Sequence, residues 1–247
     1  MVEFTIGIAG RRIKICALYE YAREFCKKYI TEGEPDFSVN ICDADIEFER
    51  VKSAREDEVE GRPVQEFSPD YLETLAIYRK IVEKMLDYNT FLFHGSGISV
   101  DGEGYLFTAK SGTGKSTHTQ IWRMLFGERF MTVNDDKPLL VVEEDRVLMC
   151  GTPWDGKHRL SNNTMVPLKA VVLLERGKES EIHPVEFSAA LPMLLQQTYR
   201  PSSPIALSRT MTLLEAMSKR VKLYRLKCNR SLKAAQTAYD GMNRKDN

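Results

Sequence analysis

The chain has 247 residues, 43% of them apolar and 28% charged, with a formal net charge of zero. That size suits one large domain or a core with a smaller appendage. The balanced charge gives no electrostatic case for nucleic acid or an anionic membrane as partner.

Five scattered cysteines without a C-x-x-C pair argue against a zinc ribbon or a disulfide framework and for reduced thiols. The N-terminal "MVEFTIGIAGRRIKI" alternates and carries charge, unlike a signal peptide, and no stretch approaches the roughly 18 consecutive apolar residues of a membrane span. The expectation is a soluble, cytoplasmic protein.

In chain order, residues 2–16 predict two strands turning at Ala9-Gly10, followed by a helix over about 18–29. "FSVNICDADIEFER" suggests a further strand region, and the charged stretch 51–65, with Gly61 and Pro63, an exposed connection. Ser68-Pro69 marks a helix start, serine as N-cap and proline in the first turn, and the helix runs to about Tyr88. Leu75, Tyr78, Val82 and Met85 give it one apolar face. Residues 1–88 are thus expected to form an α+β subdomain, and residues 89–247 a second domain.

Within the second domain, "GISV" and "GYLFTA" are joined by Asp101-Gly102-Glu103-Gly104, a strong hairpin signal. The second arm leads into "SGTGKST", residues 111–117, and then into a helix from Lys115 to about Phe126. "RFMTVNDD" predicts a strand ending in two acids, and "PLLVVEEDRVLMCGTPW" a second hairpin. "LKAVVLL" predicts a buried strand. Helices over about 188–198 and 204–219, a strand near 221–228 and a last helix from Ser231 complete the prediction.

The segment from Ser111 to Thr117 has the composition of a phosphate-binding loop. Gly112 and Gly114 let the backbone turn tightly and aim successive amides at one point, with Ser111 and Thr113 completing the turn. Lys115 supplies a point charge for phosphate, and Ser116 a hydroxyl for Mg²⁺. The helix that begins there directs its positive end at the anion, Thr117 included. Ala109 stands where the full G-x-x-x-x-G-K-[ST] pattern has glycine, but the anion contacts come from residues 112 to 117. Nucleotide chemistry also needs a carboxylate at the end of a neighbouring strand. Asp135 and Asp136 stand there, one to hold metal and one to accept a proton; the sequence leaves open which does which.

"FHGSGISVDGEGYLFTAKSGTGKST" resembles the hallmark of HPr kinase/phosphorylase, a histidine-glycine pair opening a hairpin that leads into a phosphate loop, and "VNDD" resembles its aspartate pair. That family shares its nucleotide-binding core with phosphoenolpyruvate carboxykinase. The resemblance covers roughly residues 91–160. It implies a mixed α/β fold, a partly antiparallel sheet whose phosphate loop is entered from a β-hairpin and flanked by helices. It also implies ATP, Mg²⁺ or Mn²⁺, and transfer of the γ-phosphate to a hydroxyl of a protein, peptide or small molecule. By position Lys115 and Ser116 match the loop lysine and metal-binding hydroxyl, Asp135 and Asp136 the metal and base carboxylates, and His94 the active-site histidine. HPr kinases assemble into rings, so a homo-oligomer is an option.

Thr117 replaces the glutamate that follows G-K-S in those enzymes, their glycine-rich signature has no clear counterpart, and the first ninety residues do not resemble their N-terminal domain. An HPr-kinase-like kinase with another acceptor is therefore expected. The chain is too short for a phosphoenolpyruvate carboxykinase. The alternatives from other classes are a non-catalytic nucleotide sensor and an ATPase acting on a partner. "GTPWDGKHRLSNN" is the expected second half of the site, with Lys157 and Arg159 as cations for the transferring phosphoryl group. The competing reading is a solvated basic turn with Trp154 in the core. His118 is expected on the helix surface.

Overall fold

The computed structural model describes residues 1–59, 61–110, 112–156 and 158–244. The chain divides into two compact units, Met1–Met85 and Leu86–Asn247. Among the described residues no helix is long and apolar enough to cross a membrane.

In the first unit, β1 (Val2–Ile8) and β2 (Arg11–Ala17) form an antiparallel hairpin, and β3 (Phe37–Asn40) adds to β2 in parallel. The hairpin turns at Ala9-Gly10, both with positive φ, as a tight two-residue turn requires. Alternate side chains Ile13, Ile15 and Ala17 are buried, and helices α1 (Tyr21–Phe25), α2 (Asp43–Val59) and α3 (Pro69–Met85) complete the unit.

The helix α2 corrects the sequence reading, which continued the strand past Asn40 and made 51–65 a connection. Only Phe37–Asn40 is strand, and residues 43–59 are helical. The segment has no apolar period to reveal it. Its start is fixed by Asp45, whose carboxylate accepts from the Cys42 N–H at 3.0 Å. Its packing rests on charge: Arg79 of α3 reaches Glu49 at 2.6 Å and Asp45 at 3.3 Å, and Lys80 reaches Asp45 at 2.6 Å. In α3 the stripe holds at Tyr78, Val82 and Met85, while Leu75 is only half-buried and Leu72, Ile77 and Ile81 fill the face instead.

The second unit is built on a mixed sheet of nine strands among the described residues. They are β4 (Thr90–Leu92), β5 (Ser96–Val100), β6 (Glu103–Thr108), β7 (Phe130–Asn134), β8 (Leu139–Val142), β9 (Val147–Cys150), β10 (Met165–Arg176), β11 (Glu181–Pro184) and β12 (Lys222–Cys228). The path runs β4-β8-β9-β10-β6-β5-β7, with β12 also on β10 and β11 on β12. The strand β10 joins two patterns. Its first residues pair antiparallel with β9, and from Leu168 onward it runs parallel to β6, as it does to β12 from Ala170.

Helices α4 (Lys115–Phe126), α5 (Phe187–Gln197), α6 (Pro204–Ser218) and α7 (Leu232–Asn243) cover the sheet. The period of two sorts the buried strands between the layers. Leu106, Val171 and Leu173 pack in the core that holds Leu194 of α5 and Leu214 of α6. Tyr105, Phe107, Ala170, Val172 and Leu174 pack with Trp122 of α4 and Ala238 of α7. Both faces of β6 and β10 are therefore anchored, which fixes where the loop after each strand begins.

Candidate active site

The arms β5 and β6 pair antiparallel through a two-residue turn, Asp101-Gly102, both with positive φ. From Thr108 the chain crosses six residues to reach α4 at Lys115. Ala109 is buried in the core, and its φ is not among the positive ones, so the conformation there does not need glycine. Gly112 (φ +73) and Gly114 (φ +118) do adopt the left-handed turn that L side chains avoid. Ser111 lies outside the described residues.

Gly114 is the N-cap of α4, with no side chain capping the helix. The amides of the first turn, Lys115 to Thr117, accordingly lack intrahelical acceptors. Thr113 N–H is used within the loop, on the Lys110 carbonyl at 3.2 Å. The Lys115 ammonium bends back to donate to the Ala109 carbonyl at 3.2 Å. Burial pushes its pKa down, against the charges of Asp136 and Asp135.

The strand β7 enters beside β5 and delivers Asp135 and Asp136. Asp135 accepts from the hydroxyl of Ser96 on β5, and the Ser116 hydroxyl on α4 acts to lower its pKa. Thr119 extends this chain, 3.3 Å from the Ser96 hydroxyl and donating to the Ser116 carbonyl at 3.1 Å. Asp136 takes the other direction: its Oδ1 lies 3.0 Å from His94 Nε2, and Lys137 Nζ lies 4.0 Å from Oδ2. His94 is held through its backbone, its N–H on the Gln197 carbonyl at 2.6 Å and its own carbonyl accepting from Thr108 Oγ1 at 3.2 Å.

The two acids are pushed apart electrostatically. Burial raises the Asp135 pKa, an effect its two hydroxyl partners reduce without reversing. Burial acts on Asp136 as well, but the His94 hydrogen bond and the charges of Lys137, His94 and Lys115 outweigh it and hold its pKa below the usual carboxylate value.

What sets this turn is Asn134, fully buried and without a role in the sequence reading. Its Oδ1 accepts from the N–H groups of Asp136 and Lys137 at 2.9 and 2.7 Å. Its Nδ2 donates to the carbonyl and hydroxyl of Thr152 at 3.1 and 3.0 Å. One amide thus fixes the acids and ties them to the 151–163 loop. A polar residue at the inward end of an apolar strand, next to two acids, was the available signal.

That loop passes directly over the acids: a Cβ on Gly156 would stand 3.3 Å from Asp136 Cβ. Trp154 and Asp155 are buried. Arg159 turns back on its own loop, donating to the Pro153 carbonyl at 3.2 Å and lying 3.6 Å from Asp155. Lys157 lies outside the described residues. His118 corrects the sequence reading: it is buried, not on the helix surface. Trp122 Nε1 donates to its Nε2 at 3.0 Å, and burial lowers its pKa to about 4.

The oxygen donors of Ser116 and Asp135 suit a hard divalent cation, and the Ser116 hydroxyl acts to lower the Asp135 pKa. Among the described residues no group of three His, Cys, Asp or Glu side chains could hold a metal by itself, so the remaining ligands would be water or phosphate oxygens.

No family model and no curated protein matches the chain. Among solved structures it is similar to the Hpr(Ser) kinase/phosphatase from Coxiella burnetii, with 11% sequence identity and a TM-score of 0.35, over 61% of this chain and 95% of that one. The likeness is a distant one.

Proposed function

We propose that the Leu86–Asn247 unit is an ATP-dependent kinase that transfers the γ-phosphate to a hydroxyl acceptor. One observation carries the reading: Asp135 accepts from the Ser96 hydroxyl, which lies 3.3 Å from the Thr119 hydroxyl of α4, and both acids act on the Lys115 ammonium, so the paired acids face the loop that would hold the phosphates. The uncapped amides of 114–117 and the Lys115 ammonium receive the β- and γ-phosphates. Ser116 and Asp135 would hold Mg²⁺, which when bound would neutralise charge on the phosphate oxygens.

Asp136, held ionised and oriented by His94, accepts the proton of the acceptor hydroxyl. The acceptor oxygen then bonds to the γ-phosphorus as the bond to the bridging oxygen breaks and ADP leaves.

The test is transfer from [γ-³²P]ATP, catalysed by the purified chain, into a lysate of the source organism and into free hydroxyl compounds. Labelled product lost in both Lys115→Ala and Asp136→Asn is expected. Full labelling by Lys115→Ala would overturn the loop assignment, and tight ATP binding without transfer would favour a sensor.

A further inference from the structure

The guanidinium of Arg176, at the end of β10, donates to two successive loop carbonyls: Nε to Thr113 at 3.2 Å and an Nη to Gly112. The strand β10 lies parallel to β6, which leads into the loop, with Leu173 opposite Thr108. The last residues of β10 therefore run alongside residues 109–114. They are tied down in turn, since Gly177 N–H donates to the Cys228 carbonyl at 3.0 Å and Asn229 Nδ2 to the Lys178 carbonyl at 2.8 Å.

A trans peptide is planar, with its C=O and N–H pointing opposite ways, and no cis peptide occurs among the described residues. Turning the Gly112 carbonyl toward Arg176 therefore turns Thr113 N–H away from it, onto the Lys110 carbonyl. Turning the Thr113 carbonyl toward Arg176 likewise turns Gly114 N–H away, toward the side of the loop opposite the arginine. Gly114 is the N-cap of α4, so that N–H adjoins the acceptor-free amides of the first turn. The two glycines can adopt many backbone conformations; a two-point contact selects one.

We propose that Arg176 is a positioning residue of the phosphate loop: its forked hydrogen bonds, rather than its charge, hold the peptides at 112–114 in the anion-receiving orientation before the nucleotide arrives. The inference rests on the phosphate-loop reading above. Its consequence is a particular order of substitutions. Glutamine keeps a planar amide with two N–H bonds and no charge, whereas lysine keeps the charge but offers a point ammonium in place of a fork.

The experiment is calorimetric titration of Mg²⁺-ATP into the full chain and into Arg176→Gln, Arg176→Lys and Arg176→Ala, with the melting temperature of each measured in parallel. The side chain is exposed, so melting temperatures should agree. Arg176→Ala should bind about tenfold more weakly, the loss of two hydrogen bonds at roughly 1 kcal/mol each being partly offset by water. Arg176→Gln should bind more tightly than Arg176→Lys, which should be as weak as Arg176→Ala. Binding by Arg176→Lys at the wild-type level, or by all three variants, would overturn the positioning role while leaving the loop assignment standing. Wild-type protein that binds no ATP would remove the loop assignment and this inference together.

Discussion

His94 Nε2 lies 3.0 Å from Asp136 Oδ1, while the neighbouring Asp135 accepts from the Ser96 hydroxyl instead. Adjacent carboxylates thus have separate partners, separate charge environments and, in the proposed kinase, separate duties. The histidine orients the carboxylate and supplies an N–H to its charged form. Replacing it with alanine should lower kcat by roughly 10²-fold, with little change in the KM for ATP, because the loop contacts are untouched. Steady-state kinetics with the identified acceptor would show this split; a change confined to KM would assign His94 to binding.

Asp135 and Ser116 present the oxygen pair for the cation. In Asp135→Asn, Mg²⁺ should no longer strengthen ATP binding, whereas binding in EDTA should be close to that of the wild type. Titrations with and without the metal test this. Unchanged metal dependence would place the cation elsewhere.

Asn134 makes its contacts with no water available to replace them. Asn134→Ala leaves the N–H groups of Asp136 and Lys137 and the Thr152 carbonyl without this partner, at a cost of about 3 kcal/mol. Urea denaturation should show that loss, and turnover should fall further than stability explains, because the acids lose their setting.

In the first unit Asp45 predicts acid sensitivity. Burial would raise its pKa, but the Lys80 hydrogen bond, with that of Cys42 N–H, outweighs burial and lowers it from 3.8 to about 2. The group is depressed in the folded state, so its stabilisation is complete above about pH 4 and lost as pH falls toward 2. About 2 kcal/mol is at stake. Asp45→Asn should be less stable at pH 7 and show a flatter dependence of unfolding free energy between pH 4 and 2.

Much of the second unit was legible from local pattern. Two apolar arms around Asp101-Gly102 can only be a tight hairpin, and a glycine pair between a buried strand and an amphipathic segment marks a strand, a turn and a helix. The strand β11 was missed because four residues with a single apolar side chain carry no period. The helix α2 was missed because its stabilising partners are charges on α3, thirty and more residues away.

The sequence by itself determined which chemistry could be present: a lysine and a hydroxyl behind two glycines, and a pair of acids at a strand end. Those are properties of neighbours a few residues apart, set by backbone sterics and periodicity. Only the tertiary structure decided that Asp135 faces Ser96 while Asp136 faces His94, that Asn134 fixes the turn, that His118 is buried, and that Arg176 grips the loop. Each depends on which strands lie side by side, and that pairing is chosen by the burial of both faces of β6 and β10, a property of the whole chain.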